Sequence, residues 1–504
     1  MRNESIGEAP LYKNILRLVR LPWEHLVPLI YFAAMFLYYP YHSVFENDPD
    51  EGINLIKALM FNRGYPLYRS IWSDQPPIFT YFLAWAFKLF GHDVNVGRAL
   101  ILAFSALLVW GMVVYLRRVW GGWQALIAVV LVVLLPYFPM LSTAILIGLP
   151  AISLAVLSLA AMVIWHQSGR RFWLVCSAVA CSLSIYIKLF TVILAPILVA
   201  GLLIEAYVAY RQHPGSWKPW LPVVIWAGIF GGLAIGFGFL LVGVGNFEQL
   251  ILPHLTSGDK LLFGQVISSL SIDSYLSESR PLLWLTLVGV LMALWQRRWL
   301  VFYPASWMVA AYLLLKWNTP VWYHHQLLIT VPAVMVASGA AGEVLGLPLK
   351  FLRQRHFSLL GFGLWLPAII LTVMILSSRL PVVIPEFTRS PYFIMQADYD
   401  PPKELRIVRE IDRRSSQGDW MVTDLPMYAF RTGLSVPPEL AVFSNKRRYA
   451  GGLSEPYLLE IINRYNPKFI LWGRFHFPEL NATLSERYRQ VYAFRGKVLY
   501  QRND

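Results

Sequence analysis

About eleven apolar runs, separated by short polar breaks, fill most of the chain between residues 26 and 377, and no other feature restricts its fold as strongly. They fall at roughly 26–41, 94–116, 123–139, 144–165, 172–187, 189–209, 220–243, 281–296, 299–315, 325–345 and 357–377. Apolar stretches of this length cross a bilayer as helices. Lipid gives exposed backbone no hydrogen-bond partner, so a spanning segment is a helix or part of a closed barrel, and these runs are far too long for barrel strands. The expected fold is a polytopic α-helical membrane protein of about eleven transmembrane helices.

A formal net charge of +14 is a value that nucleic-acid binders carry, but here the basic residues sit in pairs between apolar runs. That pattern records membrane topology and speaks against a nucleic-acid partner. Lys13, Arg17 and Arg20 ahead of the first run place the N-terminus in the cytoplasm. Arg117-Arg118, Arg170-Arg171, Arg211 with Lys218, Arg297-Arg298 and Lys350 with Arg353 and Arg355 then all fall inside. This assignment requires the run 76–90 not to cross, and at about fifteen residues it is marginal for crossing. Cys176 and Cys181, the only cysteines, share one apolar run and face different sides of a helix, which implies neither a disulfide nor a metal site. The start of the chain is polar and basic, with no signal-peptide cleavage pattern. The expected location is the plasma (inner) membrane, multi-pass.

The first outside loop, 42–93, concentrates charge that a membrane protein rarely tolerates. Glu46, Asp48, Asp50, Glu51 and Asp74 lie within thirty residues of it, whereas the whole chain before Ser378 holds fifteen acids. Carboxylates beside a bilayer are costly unless water or a substrate reaches them. Asp48 as N-cap, Pro49 at the first helical position and Glu51 three residues after the cap make a capping box, which explains Asp48 and Glu51 by helix initiation alone. Asp50 is left over. The helix that follows has Ile53, Ile56 and Met60 on one face and is expected to lie along the membrane surface. A turn at Gly64-Tyr65-Pro66 and a second helix start at Pro76-Pro77 complete two interfacial helices.

Three cationic or polar groups fall on the same predicted side. Lys188 stands alone in some forty apolar residues: it is either a turn lysine reaching the interface or a partner for a lipid phosphate. Tyr323, His324, His325 and Gln326 precede a span; neighbouring histidines are no i, i+4 metal pair, and they serve either aromatic packing or support of a phosphate. Arg63, Arg69 and Arg98 also bear on the outer surface, and guanidinium suits bidentate phosphate contact. The loop 244–280 alternates apolar and polar residues and is expected to cover a groove where a lipid enters. From residue 389 the composition turns soluble, with helices at 402–415 and 454–465, strands at 420–425 and 468–473 and a hairpin at 492–502. Such alternation predicts a small extracytoplasmic α/β domain, 389–504, after a transmembrane domain of residues 1–388.

The segment DPDEGINLIKALMFNRGYPLYRSIWSDQPPIFTYFLAWAFKLFG, followed by a span opening VGRAL, resembles the first-loop signature of the GT-C membrane glycosyltransferases, the superfamily of dolichyl-phosphate-mannose:protein mannosyltransferases and aminoarabinose transferases. Lys188 at the end of a span rich in small residues resembles that family's lysine, and the soluble tail with YHHQLL is similar to its bacterial branch. The likeness implies transfer of a sugar from a polyprenyl-phosphate carrier to a lipid, glycan or protein acceptor at the outer face, with inversion at the anomeric carbon. It makes Asp50 the base, with Glu51 beside it; the residues themselves offer Asp48, Arg63, Arg69, Asp74, Gln75, Lys188, Tyr323, His324 and His325 as candidates for substrate contact. A base must take the proton of the acceptor hydroxyl, and cations stabilise charge on the departing phosphate. With those cations no cofactor or divalent metal is expected, the sugar-carrying lipid being a substrate. Aminoarabinose transferases carry a lysine where this chain has Gln75, which leaves neutral hexoses or pentoses more open. The competing reading is a lipid-linked-sugar flippase or transporter, whose charges would sit at the bilayer midplane between related halves.

Overall fold

The computed structural model describes residues 23–256, 271–318, 321–345, 359–388, 401–449 and 451–503. Among these, eight helices are long and apolar enough to cross a membrane: Val94–Val119, Gly148–Ser168, Leu189–Gln212, Lys218–Val242, Ile272–Trp295, Trp299–Trp317, Tyr323–Val344 and Gly363–Phe387. The other three expected runs are also helices but shorter: α1 (Trp23–Tyr38), α5 (Gly122–Val133) and α7 (Arg171–Ile185). Eleven apolar runs thus resolve into eight full spans and three shorter helices. The runs overstate these helices because apolar residues continue into bends. After α5 the chain breaks at Tyr137, whose φ of 62° is left-handed, and helix does not return over a full span until Gly148. Lys13, Arg17, Arg20, Lys350, Arg353 and Arg355 lie outside the described residues.

The first loop carries α2 (Pro49–Asn62) and α3 (Ile78–Phe90), the latter too short to cross, as expected. Next come α4 (Val94–Val119), α6 (Gly148–Ser168) and α8 (Leu194–Gln212). They are followed by α9 (Leu221–Phe237), α10 (Phe247–Thr256), α11 (Arg280–Trp295), α12 (Phe302–Trp317), α13 (Leu327–Leu345) and α14 (Leu359–Thr388). The most enclosed is α13: every residue from Gln326 to Glu343 is buried. Helices α11 and α13 come close at Gly289, where a Cβ would lie 2.5 Å from the Val336 carbonyl oxygen. Small residues at such crossings let helix backbones approach where lipid gives no hydrophobic drive.

The membrane part has two distinct ends. At 1.5 Å per residue α4 is about 39 Å long, enough to cross a hydrocarbon core of about 30 Å. One end carries Arg117 and Arg118, paired with Glu24 at 2.8 and 3.3 Å, beside Arg298, which stacks on Trp120. Its other end carries Arg98, buried against the first loop.

Helix α2 differs from its expected placement along a membrane surface. Residues Glu51 to Met60 are all buried, so the helix is covered on every side rather than on one apolar face. The membrane part covers one side, where Asn54 donates to the Ile145 carbonyl and Asn62 to the Ala84 carbonyl, and the C-terminal domain covers the other. There α15 (Pro401–Asp412), β1 (Met421–Thr423), α16 (Pro426–Arg431), α17 (Glu455–Tyr465), β2 (Phe469–Trp472), β3 (Tyr488–Phe494) and β4 (Lys497–Arg502) form a four-stranded sheet with flanking helices. The strand order is β1-β2-β4-β3, β1 parallel to β2 and the rest antiparallel. Met421 opposite Phe469 fixes the parallel register. These elements match the predicted α/β tail, the helices and first two strands differing by up to three residues at their ends and the hairpin starting four residues earlier, at Tyr488.

Helix α16 lies directly on α2. A Cβ at Gly52 would meet the Met427 backbone nitrogen at 2.5 Å, so only glycine permits this approach. Arg431 of α16 donates to the Phe45 carbonyl at 2.5 Å and stacks on the Phe45 ring. Arg63, at the far end of α2, donates to Ser435 Oγ and the Gly433 carbonyl at 2.7 and 2.6 Å.

Candidate active site

The starts of four helical segments meet at one cavity of about 360 Å³ between the membrane part and the C-terminal domain. Its wall includes Asp48 and Asp50 at the start of α2, Ile147 and Gly148 at the start of α6, Lys188 and Leu189 at the 3-10 turn before α8, and Trp322 to His325 before α13. Unsatisfied N–H groups and the helix dipole make each start electropositive, which favours bound anions.

Asp48 caps α2 through Oδ1, which accepts the Asp50 N–H at 2.9 Å, while its Oδ2 accepts the Tyr323 hydroxyl at 2.9 Å. Tyr323 thereby ties the turn before α13 to the acidic loop. Asp50, next along, opens into the cavity. Burial pushes Asp50 above the ordinary carboxylate range, opposed by the charges of Arg474, Lys188 and Lys446. Burial and the neighbouring Asp50 push Asp48 up as well, to about 7. Like charges this close disfavour ionising both carboxyls.

Glu51 has turned away from the cavity. Its carboxylate pairs with Arg98 at 2.9 Å, accepts the Asn47 N–H at 2.6 Å and Asn47 Nδ2 at 3.1 Å, and accepts the Ile145 N–H at 3.0 Å. Burial works against the charged form, but the Arg98 charge and these hydrogen bonds outweigh it and hold the carboxyl below its ordinary range. The expected capping box is displaced by one residue: Glu51 reaches Asn47 rather than Asp48, because Arg98 draws the side chain inward. Arg98 spends its remaining N–H groups on the Tyr41 and Val44 carbonyls, at 2.7 and 2.8 Å.

Lys188 lies where α6 begins; a Cβ on Gly148 would be 3.7 Å from its Nζ. Burial pushes its ammonium down to about 7, Lys446 adding to the shift and Asp50 opposing it. On its other side stand Phe190 and the His324-His325 turn. His325 accepts the Trp322 N–H through Nδ1 at 3.1 Å, and His324 Nδ1 is buried without a hydrogen-bond partner.

Of the residues predicted from the sequence, Asp48, Asp50, Asp74, Gln75, Lys188, Tyr323, His324 and His325 come together in this wall. Glu51 and Arg69 do not line it, and Arg63 lies on a separate cavity of about 400 Å³ with His92, Arg431 and Thr432. The structure adds Asn54, Lys57, Asn318, Ser444, Asn445, Lys446 and Arg474. Lys57 had a readable signal: with Asp50 and Asn54 it follows the i, i+4, i+7 spacing of one helix face. Burial lowers its ammonium, with Asp74 and Asp50 opposing. Lys446, 3.8 Å from Asp74, and Arg474 come from the C-terminal domain and had no such signal. Leu250 and Ile251 of α10 cover one side, and Gln249 donates to the Tyr68 carbonyl at 2.9 Å. Of the loop 244–280 expected to cover a groove, Leu250 and Ile251 thus line the cavity, while 272–280 belongs to the helical stretch Ile272–Trp295 and residues 257–270 lie outside the described residues.

The family model for dolichyl-phosphate-mannose-protein mannosyltransferases matches residues 74–231, from Asp74 through Lys188 into α9. No curated protein matches the chain. Among solved structures, ArnT from Cupriavidus metallidurans in the apo state is similar at a TM-score of 0.58 and 14% identity, over 94% of this chain and 97% of that one. The oligosaccharyltransferase AglB from Archaeoglobus fulgidus, in complex with an inhibitory peptide and a dolichol-phosphate, is similar at 0.54 and 13% identity, over 96% of this chain and 75% of that one. The same organism's oligosaccharyltransferase with zinc and sulfate gives 0.54 and 14% identity, over 89% and 68%. The resemblance drawn from the first loop therefore holds at the level of the fold: the chain shares the architecture of these structures, a multi-pass helical membrane part with a small C-terminal sheet domain.

Proposed function

We propose that the protein is a glycosyltransferase that moves a sugar from a polyprenyl-phosphate lipid to an acceptor hydroxyl at the outer face of the membrane, with inversion at the anomeric carbon. One observation carries the reading: Asp50 opens into a cavity that also holds Lys188, Lys446 and Arg474, with Asp48 and Asp74 beside it and apolar residues such as Leu189, Phe190, Leu250 and Ile251 in the same wall. The mannosyltransferase model and the dolichol-phosphate bound to AglB support a lipid-phosphate donor.

Asp50 takes the proton of the acceptor hydroxyl as its oxygen attacks C1. The bond from C1 to the phosphate oxygen breaks on the opposite face, and the lipid phosphate leaves with the electron pair. Lys188 and the converging helix starts stabilise the charge that grows on it. Tyr323 holds Asp48, and through it the start of α2, in register with the His324-His325 turn. Glu51 and Arg98 are positioning residues: they anchor the turn that presents Asp50. These side-chain cations serve the charge-neutralising task, so turnover is expected to persist in a chelator of divalent metals. The acidic loop and the C-terminal domain face outward, and the Arg117-Arg118 end faces the cytoplasm.

The test is to incubate purified protein with a panel of polyprenyl-phosphate sugars and measure free lipid phosphate. Asp50→Asn is expected to fold and bind donor but to lose about 100-fold or more in turnover, the typical weight of a general base. Full turnover in that variant would remove Asp50 from the mechanism. A flippase reading is disfavoured because the charged groups gather at one end of the helices rather than between related halves.

A further inference from the structure

Two loops of the C-terminal domain reach the cavity, and one of them is built with unusual rigidity. Strands β1 and β2 are parallel, so their carboxyl ends point the same way, and Asp424 and Arg474 stand just beyond those ends. The Asp424 carboxylate is fully buried and accepts three successive backbone N–H groups, those of Gly473, Arg474 and Phe475, at 3.0, 2.7 and 2.7 Å. A carboxylate gripping three backbone amides fixes a loop far better than a sheet end alone. The loop so fixed presents the Arg474 side chain to the cavity, beside the Phe475 ring. Among the described residues no hydrogen bond or ion pair joins Arg474 to Asp50, and Arg474 Nη1 is buried without a partner. Lys446, by contrast, is engaged with Asp74. The guanidinium is therefore a cation of the wall with a buried N–H still to satisfy; Lys57 and Lys188 of the same wall are also without a hydrogen bond or ion pair among the described residues. Apolar Leu189, Phe190, Leu250 and Ile251 line the same cavity, as a lipid chain leading to a charged head would require.

We propose that Arg474 binds the phosphate of the polyprenyl-phosphate donor, and that Asp424 is the positioning residue that holds it there, which makes the C-terminal domain a working half of the transfer site. This rests on the function proposed above. The planar guanidinium fork matches the oxygens of a phosphate, and a charged hydrogen bond of this kind is worth about 10- to 100-fold in affinity.

The experiment measures binding of sugar-free polyprenyl phosphate, and of the uncharged polyprenol, to the full-length protein in detergent, alongside donor turnover and thermal unfolding. For Arg474→Gln the expected result is a 10- to 100-fold weaker binding of polyprenyl phosphate, unchanged binding of polyprenol and an unfolding temperature within a few degrees of the parent; Arg474→Lys should recover part of the loss. Asp424→Asn is expected to raise KM for the donor more than it lowers kcat, since it frees the loop without removing the guanidinium. Equal binding of polyprenyl phosphate by the parent and Arg474→Gln would overturn this assignment alone. Failure of the parent itself to bind polyprenyl phosphate would overturn the function proposed above, and this assignment with it.

Discussion

Asp48, Asp50 and Glu51 sit within one helical turn, yet each has a different environment. Asp48 has both oxygens committed, Glu51 is sealed against Arg98, and Asp50 opens to the cavity. Glu51→Gln would leave the Arg98 guanidinium buried and unpaired, a loss of roughly 3–5 kcal/mol. It is expected to lower the unfolding temperature strongly, whereas Asp50→Asn leaves it nearly unchanged; a scan of both in detergent checks the contrast. The pH dependence of turnover follows from the same residues. The raised carboxyl pair takes up a proton at a higher pH than an ordinary aspartate, so the acid limb is lost as pH falls through that raised value. Lys188 carries its charge below about 7 and loses it above, so kcat/KM is expected to fall on the alkaline side near 7. Bound phosphate stabilises the ammonium, so the alkaline limb of kcat should lie higher. Lys188→Arg, charged at every accessible pH, is expected to shift the alkaline limb of kcat/KM upward; an unmoved limb would take Lys188 out of phosphate binding.

Among the elements, α2 carries the most consequence, since it forms the cavity wall with one face and seats α16 with another. Gly52 sits at the tightest point of that contact, 2.5 Å from backbone for any added Cβ. Gly52→Ala therefore has to push the C-terminal domain away, at a typical overpacking cost of about 1–3 kcal/mol. The expected outcome is faster proteolysis between the two parts and a higher donor KM, because Lys446 and Arg474 retreat from the wall; protease timecourses and initial rates check it. The acidic loop had been expected to lie against lipid because its apolar residues are spaced for one face. Burial on all sides reflects a second partner that periodicity along a single helix does not encode.

At the scale of the molecule, a basic end and the end that holds the cavity are set apart by the length of α4. The proposed orientation predicts that, with Cys176 and Cys181 replaced, Arg495→Cys in the β3–β4 turn reacts with a membrane-impermeant maleimide on intact cells. Trp123→Cys, at the exposed start of α5 beside the Arg117-Arg118 end, should react only after permeabilisation. The reverse pattern would invert the topology and remove the site from the outer face.

Much of this protein was legible in its residues alone. Apolar runs fixed a helical membrane fold, because hydrocarbon leaves backbone groups no partner but each other. The crowding of acids around residue 50 and the isolation of Lys188 mark two sides of the cavity, since stranded charge near lipid is costly. Three things were decided only by tertiary packing. Glu51 turned to Arg98 because a buried guanidinium forty-seven residues away demanded it. Arg63 left the site to bind the C-terminal domain. Lys446 and Arg474 entered it across hundreds of residues of chain, and no local spacing announces a contact whose two halves meet only when separate layers dock.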